Sequence, residues 1–136
     1  MKFRRQFTKK GSDAYAGLEF KTTSSEIKNP DGTIVFSAPN IEVPGNYSQV
    51  AADIIAQKYF RKAGVPTFVK KVKEKDVPNW LWRSEPDSEK LNKISKDKRY
   101  KGEESAKQVF DRLAGTWTYW GWKGKYFTTE QDAKIY

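Results

Sequence analysis

Three groupings in this sequence could do chemistry. The first is Trp117-Thr-Tyr-Trp-Gly-Trp-Lys-Gly-Lys-Tyr-Phe127, where aromatics interleave with lysines. There Trp117, Trp120, Trp122, Lys123 and Lys125 could stack the bases of a single strand, at about 1–3 kcal/mol per stack, while the lysines follow its phosphates. The second is Gly121-x-x-Gly124 before Lys125, a pattern that could clamp a phosphate. It is too short for a Walker loop, and no helix opening with Lys-Ser or Lys-Thr follows. The third is a set of charged pairs, Glu103 with Glu104 and Asp111 with Arg112. Near a helix start the macrodipole favours acidic side chains, so these read as helix-end and surface charges.

Composition narrows the chemistry further. The chain holds no cysteine and no histidine. That removes the thiolate nucleophile, the redox pair, the commonest general base and the usual nitrogen ligand for a metal. A reaction centre would need a constellation of Asp, Glu, Lys, Tyr or Ser, and none is present. We therefore expect no catalytic, cofactor-binding or metal-binding residue in this chain. The net charge of +9 invites a polyanion partner, but acidic residues interrupt the basic runs, as in Lys70-Lys-Val-Lys-Glu-Lys75. Lysine outnumbers arginine twenty to six, whereas planar recognition of phosphate or guanine favours arginine. Nucleic acid is thus not the expected partner. No apolar run approaches a membrane span or a secretory leader, so the expected location is the cytoplasm.

The elements that position these residues follow from pattern. Tyr15-Ala-Gly-Leu-Glu-Phe20 is strand-compatible, and Asn29-Pro-Asp-Gly32 is a turn signal leading into Thr33-Ile-Val-Phe36. These predict a β-hairpin, with Ile41-Glu-Val-Pro44 as a short segment after it. A helix should begin at Asn46 or Ser48 and end near Gly64, with Tyr47, Val50, Ala51, Ile54 and Ile55 on one face. From Val65 to Gly102 prolines and charges break the pattern, leaving a long connector pinned by Trp80 and Trp82. Such a segment is uncommon inside a compact domain, so it is expected to lie across a surface supplied from outside.

Ser105 and Gln108 have capping-box spacing, and Ala106, Val109, Phe110, Leu113, Ala114, Trp117 and Trp120 form one stripe of a helix running to Trp120. Gly115 inside it costs about 1 kcal/mol relative to alanine, so the stripe must dock to hold the helix. Thr128-Thr-Glu-Gln131 starts a last helix that runs to Tyr136 with no stop signal, as though the chain had been cut inside it. The expected fold class is α+β: a hairpin over 1–45, a first helix over 46–64, a basic loop-rich connector over 65–104 and an aromatic helical segment over 105–136. All four would form one domain with two to three helices. Packing or interface positions are Ile54, Tyr59, Trp80, Trp82, Val109, Phe110, Leu113, Trp117, Trp120 and Trp122.

Several strings taken together resemble the amino-terminal region of the class II, adenosylcobalamin-dependent ribonucleotide reductases of the bacterial type. They are Asp13-Ala-Tyr-Ala-Gly-Leu-Glu-Phe20, Asn29-Pro-Asp-Gly-Thr-Ile-Val-Phe36, the stretch from Ser48 to Pro66, Asp76-Val-Pro-Asn-Trp-Leu-Trp-Arg-Ser84 and the stretch from Ser105 to Phe127. Glu85 to Lys101 carries no distinctive word. The resemblance implies a parent oxidoreductase that makes deoxyribonucleotides from ribonucleotides by radical chemistry on an α/β barrel. Cobalt–carbon homolysis of adenosylcobalamin would generate its thiyl radical. It also implies that the cysteines and the substrate-binding residues lie outside this chain, which would bind no cofactor and would pack on the barrel of the same protein. Ile27-Lys-Asn-Pro-Asp-Gly32 is superficially similar to the opening turn of the ATP-binding cone of many reductases. The rest of that cone does not follow, so no effector site is expected from it. The competing expectation is a free-standing basic module binding single-stranded nucleic acid through Trp117, Trp120, Trp122, Lys123 and Lys125.

Overall fold

A computed structural model describes residues Met1–Tyr136. The hairpin forms, with strand β1 at Phe20–Lys28 antiparallel to β2 at Ile34–Pro44. Asn29 closes the turn, its N–H donating to the Thr33 carbonyl, and Gly32 adopts φ +86° there. The ladder departs from expectation at both ends. Tyr15 to Leu18 is a turn and the strand begins at Phe20, because Gly17 takes φ +85° and the Leu18 N–H closes back on the Tyr15 carbonyl. Ile41 to Pro44 is no separate segment. It continues β2, pairing Ile41 with Thr23 and Pro44 with Phe20 after an irregularity in the register near Ser25.

Helix α1, Gln49–Ile54, is capped by the Ser48 hydroxyl, which accepts from the Ala51 N–H at 3.2 Å. It passes into a π-turn over Ile55–Tyr59 and stops there, five residues short of Gly64. The wide turn sends the Phe60 N–H to the Ile55 carbonyl at 3.0 Å and keeps Phe60 in the core, while the backbone becomes extended. The buried face is therefore Ala52, Ile55 and Ala56. Val50 and Ile54 of the expected face are exposed instead.

The connector is structured rather than open. Strand β3 (Val65–Pro66) pairs with β6 (Tyr100–Lys101), and β4 (Val69–Lys71) pairs with β5 (Ser84–Pro86). Between them lie a 3₁₀ turn at Asn79–Leu81 and the short helix α2 at Ser88–Leu91, capped by Asp87. Val77, Leu81 and Leu91 are buried beneath it. Helix α3 spans Ala106–Lys123 with the capping box between Ser105 and Gln108 in place. Helix α4, Glu130–Ile135, has its own box, built by Thr129 and Asp132 within the expected start. There are four helices, one more than the upper expectation.

One core joins hairpin to helices. Ile41 and Val43 from β2 meet Ala52, Ile55, Ala56 and Phe60 from α1 and its π-turn, and Ala106 and Val109 from α3. Each fully buried aliphatic side chain is worth about 1.5–3 kcal/mol. A parallel bridge from Glu42 to Ser105, with the Ser105 hydroxyl donating to Glu42 Oε1 at 2.6 Å, ties the β2 edge to the start of α3. The core is small for the chain. Accessible surface is 10063 Å², against about 7,300 Å² for an ordinary folded monomer of this mass.

Candidate docking surface

Apolar surface is left open along one side of α3. Tyr47, Ala51, Ile54, Ile55 and Tyr59 form one wall of a groove, and Val109, Phe110 and Leu113 form the other. All eight lining residues are apolar or aromatic, and the groove encloses about 340 Å³. Val109 and Ile55 form its floor and belong to the core, Phe110 and Leu113 are half-buried, and Ile54 and Tyr59 stand exposed at its rim. The helical stripe then leaves the core. Trp117 and Trp120, 51% and 63% exposed, line a second concavity with Met1, Phe3, Tyr126, Phe127 and Tyr136. In that second surface the rings of Phe3, Phe127 and Tyr136 contact one another at centroid distances of 5.2–5.7 Å.

Two polar clamps brace α3, and neither was expected. Glu103 is buried, not a surface charge. Its Oε1 accepts from Arg112 Nε at 2.9 Å, and its Oε2 accepts from Arg112 Nη2 at 3.1 Å and from the Arg61 N–H at 2.9 Å. Arg112 Nη2 also donates to the Tyr59 carbonyl at 2.9 Å. Burial pushes the Glu103 carboxyl up, but these donors together hold it below the ordinary carboxylate range. The clamp satisfies the backbone freed where the π-turn ends, which fixes Tyr59 beside α3. Nine residues separate Glu103 from Arg112, a spacing with no helical or strand period, so no sequence signal marks the pair.

The second clamp is Tyr15 with Asp111. The phenol donates to Asp111 Oδ1 at 2.6 Å; desolvation and then this hydrogen bond push the Tyr15 hydroxyl well above its ordinary value. Lys107 lies over the Phe20 ring at 4.2 Å on the same side.

The remaining expected tryptophans each donate a hydrogen bond within the chain. Trp80 donates from its indole N–H to Glu130 Oε1 at 2.8 Å, Trp82 to the Val77 carbonyl at 2.8 Å and Trp122 to the Asp76 carbonyl at 2.7 Å. The aromatic–lysine set does not assemble into one stacking face. Trp122, Lys123 and Lys125 line a cleft with Lys75 and Phe127, whereas Trp117 and Trp120 face the other concavity. Lys123 is also committed to Glu74 at 2.7 Å, where Glu74 further accepts from the Tyr119 hydroxyl. The single-strand reading therefore loses its geometry.

The model of one protein family, described as class II vitamin B12-dependent ribonucleotide reductase, matches residues 21–136. The chain belongs to that family. Over all 136 residues it is 58% identical to the vitamin B12-dependent ribonucleotide reductase of Agrobacterium fabrum and 57% identical to that of Bradyrhizobium diazoefficiens. It spans 11% of the length of each. The part matched by the reductase family model begins one residue into β1 and takes in both walls of the groove and both partners of the Glu103–Arg112 clamp. No helix is long and apolar enough to cross a membrane.

Proposed function

We propose that this chain is the amino-terminal structural region of a cytoplasmic, adenosylcobalamin-dependent ribonucleotide reductase, and that it positions the parent enzyme's barrel without entering the chemistry. The apolar seam along α3 carries this reading. A groove lined only by apolar residues, continuous along one helix with two exposed tryptophans, is a surface built to be covered. The rest of the reductase polypeptide is the occupant that fits, since the relatives are about nine times as long.

The side chains here do not fit the cobalamin cofactor. The chain offers no histidine to cobalt, and no group of three or more acidic, histidine or cysteine side chains converges. The groove offers the amides of a corrin nothing polar beyond the Tyr47 and Tyr59 hydroxyls. Reduction of the ribonucleotide, on this reading, is carried out by residues elsewhere in the parent.

The test uses the full-length reductase. Ile54→Glu with Leu113→Glu should speed hydrogen exchange across α1 and α3 and lower deoxyribonucleotide formation. Unchanged exchange at both helices in that variant would show that nothing covers the groove.

A further inference from the structure

The first residues of a domain fray unless something ties them down, and here the bonds of Met1 and Phe3 converge on one corner, the turn after α3 and helix α4. The Met1 carbonyl accepts from the Thr128 N–H and from the Thr128 hydroxyl, both at 3.1 Å. The Phe3 N–H donates to Asp132 Oδ1 at 2.9 Å. The Phe3 ring lies 5.7 Å from that of Phe127 and 5.2 Å from that of Tyr136. The reductase family model begins only at residue 21, so this arm precedes the part that it matches.

Helix α4 needs such support. Its six residues fall far short of the roughly 12–15 at which a helix holds by itself. Trp80 braces its first turn through Glu130, and the arm braces its last through Asp132 and Tyr136. Asp132 and Ala133 are buried as a result. The Tyr136 N–H still donates to the Asp132 carbonyl, at 3.1 Å, so the backbone is on a helical course at that point.

Tyr136 is also part of the concavity that Trp117 and Trp120 line, together with Met1 and Phe3 of the arm. That concavity encloses about 330 Å³, and no charged side chain lines it. One tether thus fixes both the exit of α4 and an edge of the uncovered aromatic surface beside it.

We propose that the arm is a clasp: by pinning α4 it aims the polypeptide that follows Tyr136 across this concavity, where its first turns cover Trp117 and Trp120. The inference rests on the reading that this chain is the leading part of a longer reductase, since it spans 11% of the length of its relatives. Burial of exposed indoles drives the docking. Any other occupant would have to share the concavity with the residues that leave Tyr136 at its edge.

Two measurements on the full-length reductase test it. Trp120→p-benzoylphenylalanine, once irradiated, should cross-link to the first three helical turns after Tyr136, about eleven residues, with the site read by peptide mass spectrometry. Phe3→Ala should speed hydrogen exchange of those residues at least tenfold, while the groove walls around Ile54 and Leu113 exchange as before. Phe3→Tyr, which keeps the ring, should keep the protection. A cross-link to a remote part of the same polypeptide would overturn the clasp and leave the covered groove standing, whereas no cross-link beyond Tyr136 would overturn the covered tryptophans as well. Unchanged exchange after Tyr136 in Phe3→Ala would remove the arm's role.

Discussion

Arg112 grips Glu103 through both of its prongs while also reaching the Tyr59 carbonyl, so one guanidinium joins α3, the residue two before its cap and the end of the π-turn. The Glu103 side chain is only 4% exposed. Removing its cation would leave a carboxylate with a single backbone donor in a low-dielectric setting.

Arg112→Met should therefore destabilise the fold by about 3 kcal/mol, within the range for breaking a buried pair, measured by urea denaturation. The pH dependence has a definite sign. Because the folded carboxyl titrates below its ordinary value, the stabilisation is present above the unfolded pKa and is lost as pH falls through the folded one. Arg112→Met should flatten that acid limb.

Two glycines of α3, six residues apart, should respond oppositely to alanine. At Gly115 the added methyl meets nothing, and the change should stabilise by about 0.5–1 kcal/mol. At Gly121 it would come within 2.6 Å of the Phe127 ring, which is held among Phe3 and Tyr136, and should destabilise by about 1–2 kcal/mol. Paired thermal melts decide both signs.

Acid should free the amino-terminal strand of chain. Asp132 accepts from the Phe3 N–H at 2.9 Å and from Thr129, and those bonds hold its carboxyl below the ordinary range. The tether is present above the unfolded pKa and is lost as pH falls through the lowered folded value. Proteolytic cleavage near Arg4 and Arg5 should accelerate across that window, and Asp132→Ala should show the fast rate at neutral pH.

Groove residues should separate by depth. Ile54→Glu, at an exposed rim, should change the stability of the uncovered chain by less than about 0.5 kcal/mol. Val109→Ala, in the floor and core, should cost about 2 kcal/mol. Denaturation curves on the two variants test the division.

Local signals made some of this visible beforehand. Asn29 to Gly32 encodes its turn through residues that tolerate its dihedrals, and Ser105 with Gln108 writes the start of α3 in a four-residue span. The α3 stripe and the groove positions Ile54, Phe110 and Leu113 followed from helical period. The π-turn did not, because nothing local distinguishes Ile55 to Tyr59 from ordinary helix; the demand that Phe60 reach the core and Arg61 reach Glu103 is tertiary. The two strand pairs of the connector were hidden for a similar reason. Segments of two or three residues carry too little alternation to register, and their partners lie about 15 to 35 residues away.

The exposure of Trp117 and Trp120 also bears on how much of the protein a cell keeps. Chaperones and proteases survey polypeptides for uncovered apolar surface of this kind. A copy whose seam stays uncovered presents that mark permanently, even with its hairpin and helices fully formed. Assembly would then be policed by turnover, with half-life rather than folding separating finished molecules from orphaned ones.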